Sequence, residues 1–161
     1  MAPHPDGSAG FTGTGGGGRP AGYTPVHPSA RNRQPWDFVL VTGQDQLTEL
    51  ARVWQGAGHV ARLAATIALV APVVDEGRRG VLQFDLGQAA ISMMIEAADL
   101  GIGSGHASAA DQDLARRLPG FPEDRFLAFL IALGYPAGRP LAPILRPDRR
   151  PFEDVVHRGR W

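Results

Sequence analysis

The sequence predicts a domain in which helices pack on a β-sheet, and three observations predict it. With 161 residues and 43% hydrophobic content, the chain can bury one core but not two. Three runs, Trp36–Val41, Thr66–Ala71 and Arg125–Leu133, are dense in β-branched, aromatic and aliphatic residues and stop at turn-formers, as buried strands do. Segments of helical periodicity lie between them, the clearest from Asp85 to Leu100.

Residues 1–27 hold eight glycines and four prolines, with Met1, Phe11, Tyr23 and Val26 as the large apolar groups. Too little surface can be buried there to offset the entropy of ordering, so this stretch is expected to be a tail and residues 28–161 the domain. The first strand, Trp36–Val41, ends at Thr42 and Gly43. Leu47, Leu50, Ala51 and Trp54 then fall at i, i+3, i+4 and i+7, which places one apolar stripe on a helix over Asp45–Gln55. Gly56 and Gly58 break that pattern, Val60–Ala65 forms a short helix, and the strand Thr66–Ala71 stops at Pro72. Arg78–Gly80 is expected to be an exposed turn.

The next helix has well-marked ends: Asp85 as N-cap with Gln88 three residues on, and Gly101 as the stop. Its apolar residues, Leu86, Ala89, Ile91, Met93, Met94, Ile95, Ala98 and Leu100, surround it almost completely. Burial on more than one side is required, and a second subunit could supply a side. Ser108 and Asp111 open another helix that Pro119 and Gly120 close, and Arg125–Leu133 is the central strand. From Arg139 to Trp161 the chain is locally basic, with six arginines against Asp148, Glu153 and Asp154.

Several function classes are excluded at once. Sixteen basic residues balance sixteen acidic ones, so no net field recruits nucleic acid or an anionic membrane. Every basic residue is arginine, which removes Schiff-base and phosphate-loop lysines. Without cysteine there is no disulfide, thiolate nucleophile or zinc knuckle, and the five histidines have no ligand spacing, so no metal is expected. There is no charged start followed by an apolar stretch and no run of membrane-spanning length, which reads as a soluble, cytoplasmic protein.

The glycine run Gly13–Gly18 is followed by Arg19 and Pro20 where a phosphate loop needs Lys and Ser or Thr. Gly101–Gly105 has dinucleotide-turn spacing but follows a helix instead of a strand, and a Gly-x-Ser-x-Gly elbow is absent. His106 sits in a glycine-bounded loop and either lines a pocket or is simply exposed. The stretch Pro28–Trp36, PSARNRQPW, is the better candidate. Ser29, Asn32 and Gln34 put hydroxyl and amide groups on a turn that Trp36 pins to the core, and donor–acceptor amides suit the edge of a heteroaromatic ring. On residue chemistry alone, an ordinary capped turn before a strand is the slightly better account.

PSARNRQPWDFVLVT resembles the Pro-Ser-x-x-Asn-x-Gln-Pro-Trp signature of the flavin-dependent nitroreductase family. FDLGQAAISMMIEAADLGIGS is similar to that family's central dimer helix with its Leu-Gly-x-Gly-Ser end, LIALGYP to its late strand, and RRPFEDVVHRGRW to its C-terminal segment. The resemblance implies an α+β homodimer with a mixed sheet flanked by helices, FMN at the subunit interface, and hydride transfer from NADH or NADPH to a small-molecule acceptor, nitroaromatic, quinone-like or otherwise conjugated. It further implies flavin contacts at Pro28, Ser29, Ala30, Asn32 and Gln34, with the loop Gly105, His106 and Ala107 approaching from the other subunit and Arg149 or Arg150 near the phosphate. The flavin would carry the chemistry, so no catalytic side chain is assigned.

The family's N-terminal helices and Arg-Arg-Ser-type motif are not matched in residues 1–27, so the resemblance is truncated there, as if the coding region had been replaced or frame-shifted. A non-catalytic, cofactor-deficient remnant that dimerises through the central helix is therefore the second reading. A deazaflavin-binding or flavin-cleaving relative is the third.

Overall fold

Apolar runs spaced along the chain pair into one four-stranded sheet, formed by β1 (Asp37–Val41), β2 (Ala65–Pro72), β3 (Gly103–Ala107) and β4 (Arg125–Gly134) in the order β1-β2-β4-β3. This computed structural model describes residues 28–136, 145 and 148–161. Residues 1–27, with the tail expected there, lie outside them. The three described strand pairings are all antiparallel, although the resemblance implies a mixed sheet.

Both faces of the sheet are covered, which fixes its layers. On one face α1 (Gln44–Leu50), the 3₁₀ segment Gln55–Arg62 and α3 (Gln112–Arg117) pack Leu47, Leu50, Val53, Val60 and Ala115 against Val70, Leu127 and Leu130. On the other, α2 (Glu76–Asp99) lays Leu82, Leu86, Ala89, Met93 and Ala97 over Leu69, Ile131 and Leu133. Side chains of β4 alternate between the two cores, as a strand's period of two requires. A register irregularity between Leu69 and Val70, opposite Phe129 and Leu127, leaves Ala128 as the extra residue of a bulge.

The strands expected from sequence are present to within a residue at each end. The helices differ more. The first stops at Leu50, short of the expected Gln55, because the chain turns and the Val53 carbonyl accepts from the Ala110 and Asp111 N–H groups (2.9 and 3.0 Å). Gly56 and Gly58, expected to break a helix, lie inside the 3₁₀ segment, which replaces the helix placed at Val60–Ala65.

The largest correction concerns α2. Arg78–Gly80 is helical, not a turn, and Asp75 is the N-cap: its carboxylate accepts the Arg78 N–H at 3.1 Å and pairs with Arg78 Nε at 2.6 Å. Asp85 therefore sits in the helix interior. At the other end the expectation holds. Gly101 (φ 71°) follows the last turn, its N–H donates to Ala98 O (3.0 Å), and the Ile102 N–H donates to Ala97 O (2.7 Å), a Schellman closure.

His106, expected in a loop, lies in β3 opposite Ile131 of β4. The helix expected after Ser108 begins one residue past Asp111, whose carboxylate caps it by accepting the Leu114 N–H at 2.8 Å. No helix among the described residues is long and apolar enough to cross a membrane.

Candidate functional site

The segment before β1 is built against backbone preference. Arg31, Asn32 and Gln34 all have positive φ (55°, 53° and 48°), and no other non-glycine residue described does. Asparagine tolerates this region; arginine and glutamine seldom enter it. Local bonds hold the shape: the Asn32 N–H donates to Ser29 O (2.8 Å), the Arg33 N–H to Ala30 O (3.3 Å), and the Gln34 N–H to Ser29 Oγ (2.8 Å). The buried ring of Trp36 anchors the exit of the segment in the core beneath α2, as expected.

The entry is tied to α2 by a residue that sequence reasoning assigned elsewhere. Asp85, only 4% exposed, accepts the Ala30 N–H with Oδ2 at 3.1 Å and Oδ1 at 3.3 Å, across 55 positions of sequence. Helical phase brings Val81, Phe84, Asp85 and Gln88 to one side of α2. Together with Pro28, Ser29, Ala30 and Gly80 they line a cavity of about 470 Å³. That volume lies within the usual range for small-molecule sites, and the walls are apolar with a few convergent polar groups.

A second cavity, of about 260 Å³, opens on a neighbouring face of the same helix and is lined by Gly87, Ala90, Ile91, Met94, His106 and Phe129. His106 meets Phe129 edge-on, with centroids 6.5 Å apart. Of the residues expected at the site, Pro28, Ser29 and Ala30 line the first cavity, while Asn32 and Gln34 stand exposed on the same turn. His106 lines the second, flanked on β3 by half-buried Gly105 and buried Ala107.

Arg149 and Arg150 line neither cavity; both are exposed, and Arg150 donates to Asp154 O at 2.6 Å. The described residues of the first cavity thus fit the ring of a flavin but bring no guanidinium for its phosphate.

An exposed apolar stripe on α2 runs from the first cavity past the second. Val81, Phe84, Ile91 and Ile95 are 51%, 69%, 52% and 64% exposed, and with Gln88 they recur at alternating intervals of three and four, the spacing of a helix–helix seam.

Comparison with solved structures settles the architecture. An FMN-dependent nitroreductase from Clostridium difficile superposes with a TM-score of 0.70 over 84% of this chain and 82% of that one, at 20% identity. The chain has the nitroreductase fold. An NADPH:FMN oxidoreductase from Vibrio harveyi, solved in complex with NAD+, gives a TM-score of 0.69 at 22% identity, covering 84% of this chain and 64% of that one. By sequence, an Archaeoglobus fulgidus protein provisionally named NADH dehydrogenase/NAD(P)H nitroreductase is 27% identical over 139 residues, covering 83% of this chain and 79% of the relative. No family model matches. The nitroreductase resemblance carried by the sequence blocks is therefore borne out.

Proposed function

We propose that this nitroreductase-fold chain is an FMN-dependent oxidoreductase that works as a homodimer, taking electrons from NADH or NADPH and passing them to a nitroaromatic, quinone-like or other conjugated acceptor. The observation that carries the reading is the run of left-handed residues, Arg31, Asn32 and Gln34, held beside a ligand-sized apolar cavity. Strain of this kind persists where a site requires it. The names of the structural neighbours, an FMN-dependent nitroreductase and an NADPH:FMN oxidoreductase, support the cofactor.

In this reading Pro28, Ser29 and Ala30 contact the flavin ring, and exposed Asn32 and Gln34 offer amides to its polar edge. Phe84 and Val81 form the apolar floor and exclude water. The stripe Val81–Ile95 meets its own copy across a twofold axis, bringing Gly105, His106 and Ala107 of the partner toward the ring. Bound FMN would supply hydride acceptance and delivery, while the chain binds, orients and keeps the pocket dry. Arg149 or Arg150 would reach the phosphate through the same association.

The test is colour. Purified protein reconstituted with FMN should be yellow and should bleach with NADH or NADPH, and Asn32→Ala should retain less flavin while remaining a dimer. A colourless protein that FMN cannot reconstitute supports the second reading, a cofactor-deficient dimeric binding protein. That neither Arg149 nor Arg150 lines a cavity favours that alternative.

A further inference from the structure

We propose that Asp85 is a positioning residue for the flavin-contacting turn: from the interior of α2 its carboxylate grips the Ala30 backbone and holds the turn Arg31–Gln34, with left-handed Arg31, Asn32 and Gln34, against the cavity. The inference rests on the flavin reading and extends it to a residue outside the family signature at Pro28–Trp36.

Three observations converge. First, the neighbours of Asp85 along the buried side of α2 are Leu82, Leu86, Ala89 and Met93, so a carboxylate is out of character there. A buried acid is disfavoured unless hydrogen-bonded, and an apolar residue of similar size would serve the core as well or better. Core packing therefore does not account for it.

Second, the donor that meets this carboxylate among the described residues is the N–H of Ala30, at 3.1 and 3.3 Å. Ala30 opens the 3₁₀ turn, and an N–H at that position has no partner within the turn itself.

Third, the strained residues follow directly. Ser29 Oγ closes the turn upon itself through the Gln34 N–H, but that bond moves with the turn. Trp36 fixes its exit and Asp85 its entry, so the backbone between two anchors is constrained to a path that is left-handed at Arg31, Asn32 and Gln34. Phe84 and Gln88, on either side of Asp85, line the same cavity. The clamp thus sets the separation between the turn and the helix wall, which is the width available to a ring.

The experiment uses the full chain in four forms: wild type, Asp85→Asn, Asp85→Ala and Ala30→Pro. Quenching of flavin fluorescence gives the FMN dissociation constant, and NMR gives hydrogen exchange at the Ala30 amide. Asp85→Ala removes a charge-assisted hydrogen bond and should weaken FMN binding about tenfold or more, with fast exchange at Ala30. Asp85→Asn keeps an acceptor oxygen and should stay within about threefold of wild type with Ala30 still protected.

Ala30→Pro deletes the donor at the first position of a turn preceded by extended Ser29, where proline is tolerated. It should match Asp85→Ala in affinity, and combining the two should cost no more than either alone. Wild-type affinity in Asp85→Ala, equal losses in the Asn and Ala variants, or additive losses in the combination would each overturn the proposal. Should Asp85→Ala not fold, Asp85→Asn and Ala30→Pro decide it by the same criteria.

A wild-type chain that binds no FMN defeats the flavin reading instead. Ala30 exchange alone then judges the clamp: it stands if the amide is protected in wild type and exposed in Asp85→Ala, and falls otherwise.

Discussion

If the α2 stripe is the subunit seam of the proposed flavoenzyme, replacing Ile95 by glutamate should separate the subunits and, through that alone, release the flavin. Ile95 is 64% exposed and lines neither cavity, so in an isolated subunit the substitution alters only surface. Glutamate is at least as good a helix former as isoleucine, and folding stability should change by no more than about 0.5 kcal/mol. In a twofold dimer each effect occurs twice. Complete burial of an isoleucine is worth roughly 1.5–3 kcal/mol, so covering the exposed part contributes about 1–2 kcal/mol per subunit. Placing a carboxylate there adds several kcal/mol per ion, giving a penalty above roughly 6 kcal/mol per dimer. That is about 10⁴-fold in the dimer dissociation constant.

The whole stripe, Val81, Phe84, Ile91 and Ile95, leaves roughly two side chains' worth of apolar surface uncovered per subunit, about 3.5–7 kcal/mol if buried. Counted for both subunits this is about 7–14 kcal/mol against a roughly 4–15 kcal/mol cost of association, so a loss above about 6 kcal/mol removes most of what the seam contributes. Analytical ultracentrifugation at micromolar protein should find a dimer for wild type and a folded monomer for Ile95→Glu, with FMN lost on gel filtration. A variant that still sediments as a dimer would refute the seam. A folded monomer that keeps FMN at wild-type affinity would refute a site completed by the partner.

Three further outcomes test the energetics. Thr66 is fully buried on β2 and its hydroxyl has no hydrogen-bond partner among the described residues, so Thr66→Val should raise stability by about 1 kcal/mol in urea denaturation. Gly101 holds φ 71° with open space where a Cβ would stand, so Gly101→Ala should cost about 1–2 kcal/mol through backbone strain alone, read as a lower Tm. The Arg78 side chain, aided by its N–H, holds the Asp75 carboxyl below its ordinary 3.8. A lowered folded value gives stability that is present above pH 3.8 and lost as pH falls through the folded value. Thermal melts of wild type should therefore drop more steeply below pH 4 than those of Asp75→Asn, which still caps the helix but cannot titrate.

Strand positions were legible because a central strand is apolar on both faces, and β4 carries that signal unbroken from Phe126 to Leu133. The helix α2 was legible only in its second half. Its first turns read Glu76-Gly77-Arg78-Arg79-Gly80, a composition that on its own favours a turn, and Asp85 with Gln88 spells a capping pair. Leu82, four residues before Leu86, was the available sign that the buried stripe starts earlier. His106 was misread because the glycines ahead of it, Gly101, Gly103 and Gly105, suggest a loop, whereas register with β4 makes the segment a strand. The turn at Pro28–Gln34 was recognised from its residue types. Its contact with Asp85 was not, because a bond across 55 positions exists only once α2 lies on the sheet.

Several departures from local preference meet at one place. Three non-glycine residues with positive φ, an acid in the buried interior of a helix and a phenylalanine left 69% exposed all fall on or beside one cavity. Each opposes stability by itself: the left-handed residues by sterics, the acid by desolvation, the phenylalanine by hydration. Helix ends away from the cavity follow local preference, with Asp75 and Asp111 capping their helices and Gly101 closing one. A chain selected only to fold would lose nothing by relaxing these positions separately, yet they are mutually dependent: the acid holds the turn, and the turn and the phenylalanine form one wall. Such concentration follows where a ligand and a second subunit offset the cost together, since neither would stabilise the whole set alone. The consequence is a linkage: FMN and dimerisation should each strengthen the other, so raising FMN should lower the subunit dissociation constant. Ultracentrifugation of the wild-type chain across an FMN titration measures this directly, and a dissociation constant unmoved by FMN would mean that the strained wall serves something other than a shared ligand.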